Sequence, residues 1–269
     1  MAGRLKNIFL EGVRKLGFSR SWDKLYYQFN RLRYRSKNKS FIQNHPGISL
    51  PPPYLLYESY RLDYESYFTD GRNTAFWIVE QLSPFKFLEN AVILEWGCGP
   101  ARIIRHLPAL LPKASIHGCD YNTQTINWCR EHITGVQFSN NELQPPLPFA
   151  PAFFDVVYAL SVLTHLSVKN HFSWMEELHR ILRPGGLLLL TVQGKAFRDK
   201  LNSSEKKNFE QGLVVERNGV VEGHRSFSAF QPEAFMRKVF SKNWKILSWK
   251  EGSVQSWGPE QDVWIVERQ

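Results

Sequence analysis

The chain has 269 residues, 43% of them hydrophobic and 14% aromatic, with a formal net charge of +9 and three cysteines. That length is enough for one sizeable core, or a core with a small appendage, and the apolar content excludes general disorder. No apolar stretch approaches the ~20 residues that span a bilayer, and Cys98, Cys119 and Cys129 have neither C-x-x-C pairing nor metal-ligand spacing, so a reduced intracellular protein with no bound metal is expected.

The positive charge is confined to the start. Residues 1–50 hold eleven Lys or Arg against two acidic residues, Glu11 and Asp23, whereas the other 219 residues balance at 23 of each sign. Leu5, Ile8, Phe9, Val13 and Leu16 fall on one helical face, with Arg4, Lys6, Arg14 and Lys15 around it. Tyr26, Tyr27, Phe29, Leu32 and Tyr34 then interleave with Arg31, Arg33, Arg35, Lys37 and Lys39. Three readings of this basic helical arm stand: docking on the core, lying on an anionic membrane surface through residues 1–40, or binding phosphates with its aromatics stacked on bases. The amphipathic first segment, and the lack of an RNA-recognition motif, favour a membrane over nucleic acid. The start carries charge without the apolar core and small-residue cleavage site of a signal peptide, so a cytoplasmic location is expected, peripheral to the membrane if the arm docks there.

Residues 51–90 form a lead-in marked by Pro51-Pro52-Pro53 and by Tyr57, Tyr60, Tyr64 and Tyr67. The tyrosines read either as a lid, with Tyr64 and Tyr67 meeting a substrate, or as aromatic packing between arm and core.

The most informative stretch is residues 92–102, Val-Ile-Leu-Glu-Trp-Gly-Cys-Gly-Pro-Ala-Arg. An apolar run ends in a carboxylate, a tight glycine turn follows, and Ile103, Ile104 and Leu107 begin a helical pattern. An open α/β sheet builds a ligand site in this way at the carboxyl end of its first strand. A dinucleotide turn needs G-x-G-x-x-G; here Pro100, Ala101 and Arg102 follow the pair. Glu95, two positions before the first glycine, suits a cationic ligand better than a diphosphate.

Residues 114–120 read as a second strand ending in Asp120, about 20 residues past the turn, where such folds place a carboxylate on ribose hydroxyls. Asn122 is a candidate cap for the next helix, whose apolar side carries Ile126, Trp128 and Cys129. A third strand over 135–138 runs into Ser139-Asn140-Asn141-Glu142-Leu143. After Pro145-Pro146-Leu147-Pro148-Phe149, residues 153–161 are nearly continuous in apolar side chains, as a buried parallel strand should be. A helix with Trp174, Leu178 and Ile181 follows, and Arg183-Pro184-Gly185-Gly186 stops it before a fifth strand over 187–192. A helix over 231–240, with Pro232 in its first turn, precedes two strands over 244–249 and 262–267.

The acidic-x-G-x-G turn, Phe154-Asp155-Val156-Val157 and Leu182-Arg183-Pro184-Gly185-Gly186, in this order, resemble class I S-adenosylmethionine (SAM) methyltransferases, with Ala101 where the family has its third glycine. Pro51-Pro52-Pro53, Ser161-Val162-Leu163-Thr164-His165-Leu166 and Gln261-Asp262-Val263-Trp264 resemble a bacterial subgroup of that family. The resemblance implies an α/β, Rossmann-like seven-stranded mixed sheet with helices on both faces and an antiparallel last strand. It implies SAM as cofactor: Gly97, Cys98 and Gly99 at the methionine end with Glu95 toward its amino group, Asp120 on the ribose, and Tyr121 beside the adenosine. Asn141, Glu142 and Leu143 would flank the adenine, Leu160 and Ser161 would cover the methionyl part, and Arg102 would meet the carboxylate or serve structure.

SAM carries a methyl group ready for in-line displacement, so the protein's work is alignment and exclusion of water. His165 is the best-placed base for a hydroxyl nucleophile, against an ordinary role in loop structure. His106 and His117 read as packing residues. His224 and Arg225 lie in the insert before the last helix, where substrates often bind. The fourth strand has no Asn-Pro-Pro-Tyr or Asp-Pro-Pro-Tyr, which disfavours amide and base nitrogens; an oxygen on a small molecule, lipid or saccharide is the default acceptor. Two other classes remain: an NAD-dependent reductase, which Arg102 opposes, and a non-catalytic adaptor at a membrane. The expected divisions are the arm (1–50), the lead-in (51–90) and the methyltransferase domain (91–269).

Overall fold

A computed structural model describes residues 19–217 and 221–269, with side chains from Lys24 onward. The amphipathic pattern of residues 5–16 lies outside the described residues. The chain divides into two compact units, with the boundary between Thr69 and Asp70. Among the described residues, no helix is long and apolar enough to cross a membrane.

The first unit contains α1 (Ser19–Arg33), α2 (Arg35–Asn44), α3 (Pro53–Ser59) and the start of α4 (Tyr64–Leu82). Its core joins Phe41 of the arm to Leu56, Tyr57, Leu62, Tyr64 and Tyr67 of the lead-in. Asn38 ties the same segments together, donating to the Leu62 carbonyl (2.8 Å) and accepting the Tyr64 N–H (2.9 Å). Tyr67 is fully buried, and buried Tyr64 spends its hydroxyl on the Pro51 carbonyl at 2.9 Å. Both rings are thus packed inside the structure rather than presented on an open face for a substrate.

The second unit is built on a seven-stranded sheet in the order β3-β2-β1-β4-β5-β11-β8. The strands are β1 (Val92–Trp96), β2 (Ser115–Asp120), β3 (Gln137–Asn140), β4 (Phe154–Ala159), β5 (Leu182–Val192), β8 (Trp244–Lys250) and β11 (Asp262–Arg268). Strands β1 to β5 pair in parallel, and β11 is antiparallel to both β5 and β8. The sheet is the Rossmann-like one expected, with its antiparallel last strand. Central strands are apolar along their length because helices α6 (Thr123–His132), α7 (Val168–Ile181) and α9 (Glu233–Val239) accompany the sheet. One core cluster joins Leu94, Trp96, Val157, Trp174, Leu178 and Trp264. Asp155 fastens β1 to β4, accepting the Val92 N–H (2.9 Å) and pairing with Arg183 (2.7 Å).

Several boundaries differ from expectation for identifiable reasons. The helix after the glycine turn is only a 3-10 turn (Ile104–His106) and a single α turn, α5 (Leu107–Leu110), because Pro108 lacks the N–H that a continuous helix needs. Strand β3 begins two residues late because Gly135 sits at φ +76°, in a turn. Strand β5 pairs from Leu182, and Arg183 to Gly186 bulge out between its Leu182 and Leu187 pairings. Pro232 is extended and caps α9 from outside, leaving Gln231 before the helix. Two small hairpins were not foreseen: β6 (Val215–Arg217) with β7 (Ser228–Phe230), and β9 (Val254–Gln255) with β10 (Gly258–Pro259). Helix α8 (Ser203–Glu210), closed by an Asn202/Glu205 capping box, precedes the first of them.

The order reverses between β1 and β4, where the chain returns after building outward through β2 and β3. At such a switch point the connections diverge and leave a crevice at the carboxyl ends of the strands.

Candidate active site

At the end of β1 the backbone turns through Gly97 (φ +75°), Gly99 (φ +49°) and Ala101 (φ +57°). A Cβ on Gly97 would lie 2.5 Å from Val162 Cγ2, so only glycine lets this turn pass under the loop that follows β4. The Gly97 and Cys98 amides both donate to the Cys119 carbonyl (2.8 and 3.0 Å), locking the turn to β2. Cys98 is buried and burial raises its thiol pKa, so it offers the crevice only backbone.

Glu95 is the first departure from expectation. Its side chain is buried, and one oxygen, Oε2, accepts both the Ile104 N–H (3.1 Å) and the Tyr158 hydroxyl (3.0 Å). Burial pushes its pKa up to about 8, against the opposing pull of the Tyr158 hydrogen bond and of Arg102. The negative charge read from the sequence is therefore largely neutralised by a proton at pH 7 when no cation is bound. Arg102 reaches Thr74 on α4 at 3.4 Å.

Asp120, at the end of β2, holds both neighbouring loops: Oδ2 accepts the Gly99 N–H (2.9 Å) and Oδ1 the Asn122 N–H (2.8 Å). Asn122 caps α6 through the Thr125 N–H, as expected. Tyr121 is 46% exposed and its hydroxyl donates to the Gly223 carbonyl at 3.1 Å. Three candidates followed β3; Asn141 is buried and its Oδ1 has no hydrogen-bond partner, whereas Glu142 is exposed and Leu143 half-buried. A buried amide oxygen left unpaired is costly, and it awaits a donor.

Past β4, Leu160 and Ser161 are half-buried, and Ser161 adopts φ +63°. Its N–H donates to Thr191 Oγ1 (2.9 Å) and its hydroxyl to Gln261 Oε1 (2.8 Å), while Thr191 also donates to Gln261 (2.6 Å). This knot joins the ends of β4, β5 and β11. Neither Thr191 nor Gln261 was assigned a site role from sequence, since the partners lie 70 and 100 residues apart with no local pattern to link them.

His165 is half-buried and its Nδ1 lies 2.9 Å from the Phe227 carbonyl. A carbonyl can only accept, so Nδ1 carries the proton and Nε2 the lone pair. Burial lowers its pKa, opposed by that hydrogen bond, which keeps the ring neutral at pH 7. His224 is exposed and Arg225 half-buried, on the same insert as Phe227. His117 is a packing residue, edge-on to Phe149, Phe153 and Phe154.

Residues 93–186 match the family model of a methyltransferase domain. The chain is 34% identical over 106 residues to a fatty-acid O-methyltransferase of Mycolicibacterium smegmatis, a stretch covering 39% of this chain and 38% of that protein. It is 33% identical over 111 residues to a tRNA (carboxymethyluridine(34)-5-O)-methyltransferase of Arabidopsis thaliana, covering 39% of this chain and 26% of the relative. The chain thus spans between a quarter and two-fifths of the length of these relatives. A crystal structure of magnesium protoporphyrin IX methyltransferase from Synechocystis PCC 6803, with bound S-adenosylhomocysteine (SAH), has the same fold: TM-score 0.54 at 14% identity, over 90% of this chain and 99% of that one. The matched segment carries the glycine turn, Asp120 and the Arg-Pro-Gly-Gly bulge, so residues 93–186 of this sheet are a methyltransferase domain.

Proposed function

We propose that the chain transfers a methyl group from SAM to an oxygen of a small-molecule, lipid or saccharide acceptor. The observation that carries this reading is the crevice edge itself: a glycine turn with no room for a Cβ, a carboxylate at the end of β2, and the unpartnered Asn141 oxygen beyond β3. Asp120, a carboxylate at the end of β2, faces the ribose hydroxyls, Asn141 Oδ1 is an acceptor for the adenine amino group, and Glu95 becomes a carboxylate when a cationic ligand repays its burial. Tyr121, Glu142 and Leu143 border the adenosine, and Leu160 and Ser161 close over the methionyl end. SAM, when bound, supplies an activated methyl group. The chain's own contribution is to align the acceptor oxygen, exclude water and receive the acceptor's proton at His165 Nε2. Relatives named for O-methylation support an oxygen acceptor, and the tRNA enzyme among them widens the range of acceptors to be tested.

Replacing His165 by asparagine keeps an N–H for the Phe227 carbonyl and removes the basic nitrogen. SAH release from SAM and a soluble cell extract is expected to fall ~100-fold or more, since general-base catalysis contributes about 10²–10⁴. SAH affinity should stay within about threefold, as no cofactor contact is removed. Undiminished turnover would remove His165 from the mechanism.

A second reading concerns the arm. Helix α1 exposes Leu25 (66%), Phe29 (60%) and Leu32 (69%) at i, i+4 and i+7, with Arg31 and Arg33 exposed on the same helix. We infer that this face lies on an anionic membrane, its apolar stripe among the acyl chains and its arginines at the headgroups. Flotation with phosphatidylserine vesicles, but not with neutral ones, is expected, and Phe29→Glu should abolish it. Equal flotation of both forms contradicts the reading.

A further inference from the structure

Three parts of the crevice rim converge on one dipeptide of the insert, Glu222-Gly223. Glu222 Oε1 accepts the Ser167 N–H (2.5 Å) and the Nδ2 of fully enclosed Asn170 (2.7 Å). Ser167 is the N-cap of the 14-residue α7, so the carboxylate sits where the helix leaves unpaired N–H groups and positive partial charge. Glu216, on β6, reinforces the same end by accepting the Val168 N–H. Gly223 then bridges two loops: its N–H donates to the His165 carbonyl (2.9 Å) and its carbonyl accepts the Tyr121 hydroxyl (3.1 Å). Its φ is +82°, and a Cβ there would lie 2.6 Å from Leu143 Cδ1, so the turns of residues 221–227 run tightly over the residues assigned to adenosine. Four residues on, the Phe227 carbonyl holds His165 Nδ1.

We propose that Glu222 is a positioning residue, the latch that holds residues 221–227 across the adenosine side of the site and so orients His165. This rests on the SAM reading of the crevice. The Tyr121–Gly223 bond is exposed and neutral, and contributes little alone. The Glu222 bonds are charge-assisted and land on a helix amino end, so they decide whether the segment stays closed. Cofactor release then requires the segment to lift, and lifting it also frees the His165 ring.

The test is the dissociation rate of SAH from the full chain, by stopped-flow displacement. Glu222→Ala is expected to speed dissociation about tenfold or more, because it deletes two charge-assisted hydrogen bonds. Glu222→Gln keeps an accepting oxygen but loses the charge, and should fall between the unaltered protein and Glu222→Ala. Should Glu222→Ala lose its thermal transition, Glu222→Asp is used instead; its shortened side chain cannot reach both donors, and an increase above about threefold is expected. A merely structural role for Glu222 would lower the melting temperature and leave the dissociation rate unchanged, which overturns the latch. If the unaltered protein binds no SAH, the cofactor reading fails and the latch with it; if it binds and the variants match it, only the latch fails.

Discussion

Replacing Glu95 by glutamine is expected to remove a pH dependence of folding that the unaltered chain carries. The carboxyl titrates at its ordinary value of 4.5 when unfolded and at about 8 when folded. Between those values the unfolded chain has lost its proton and the folded chain retains it, so stability falls as pH rises through the window. By linkage the full shift is on the order of 5 kcal/mol. Both hydrogen bonds to Glu95 fall on one oxygen, which a glutamine carbonyl can replace while its amide takes the place of the protonated oxygen. The variant should therefore match the unaltered protein within ~1 kcal/mol at pH 5 and exceed it by several kcal/mol at pH 9 in ligand-free urea melts. Asp262, raised to about 6 chiefly by burial, changes stability in the same direction, but it is present in both proteins and cancels. Parallel pH profiles for the two would show that Glu95 is not held protonated. The same substitution should weaken SAM binding at pH 8, since an amide cannot become the anion that a cationic ligand favours.

Asp120→Ala has the larger expected effect on binding. It deletes the carboxylate proposed for the ribose hydroxyls and also frees the Gly99 and Asn122 amides that it now holds. Hydrogen bonds to charged groups contribute ~1.5–3 kcal/mol each, so SAH affinity should fall by about 10²-fold or more, with ~1–3 kcal/mol lost from ligand-free stability. Asp120→Asn retains an acceptor and should lie between. Weakened folding with unchanged SAH affinity would make Asp120 a loop fastener alone.

What the sequence revealed follows from how local each feature is. The apolar run ending at Glu95, the glycine turn and the Arg-Pro-Gly-Gly segment each announce a backbone event within a few residues, and the sheet has the expected strands in place. Asn122 was legible as a cap for the same reason. The fate of Glu95 was not, because Tyr158 lies 63 residues away and only the β1–β4 pairing brings them together. Glu222 and Gly223 escaped notice because an acidic residue and a glycine in an insert have no periodicity; their meaning comes from the amino end of α7 and from Tyr121. The helix beyond the glycine turn was overread because apolar spacing outweighed Pro108, whose missing N–H broke it. Tyr64 and Tyr67 carried two readings, and pairing with Phe41 of the arm put them in a core.

Calorimetric titration of the purified chain with SAH, and separately with NAD, tests the central claim most directly. Saturable binding of one SAH per chain, lost in Asp120→Ala, together with no heat from NAD, is the expected result. A chain that is folded by its thermal transition yet takes up neither SAH nor SAM, or that binds NAD in their place, contradicts it.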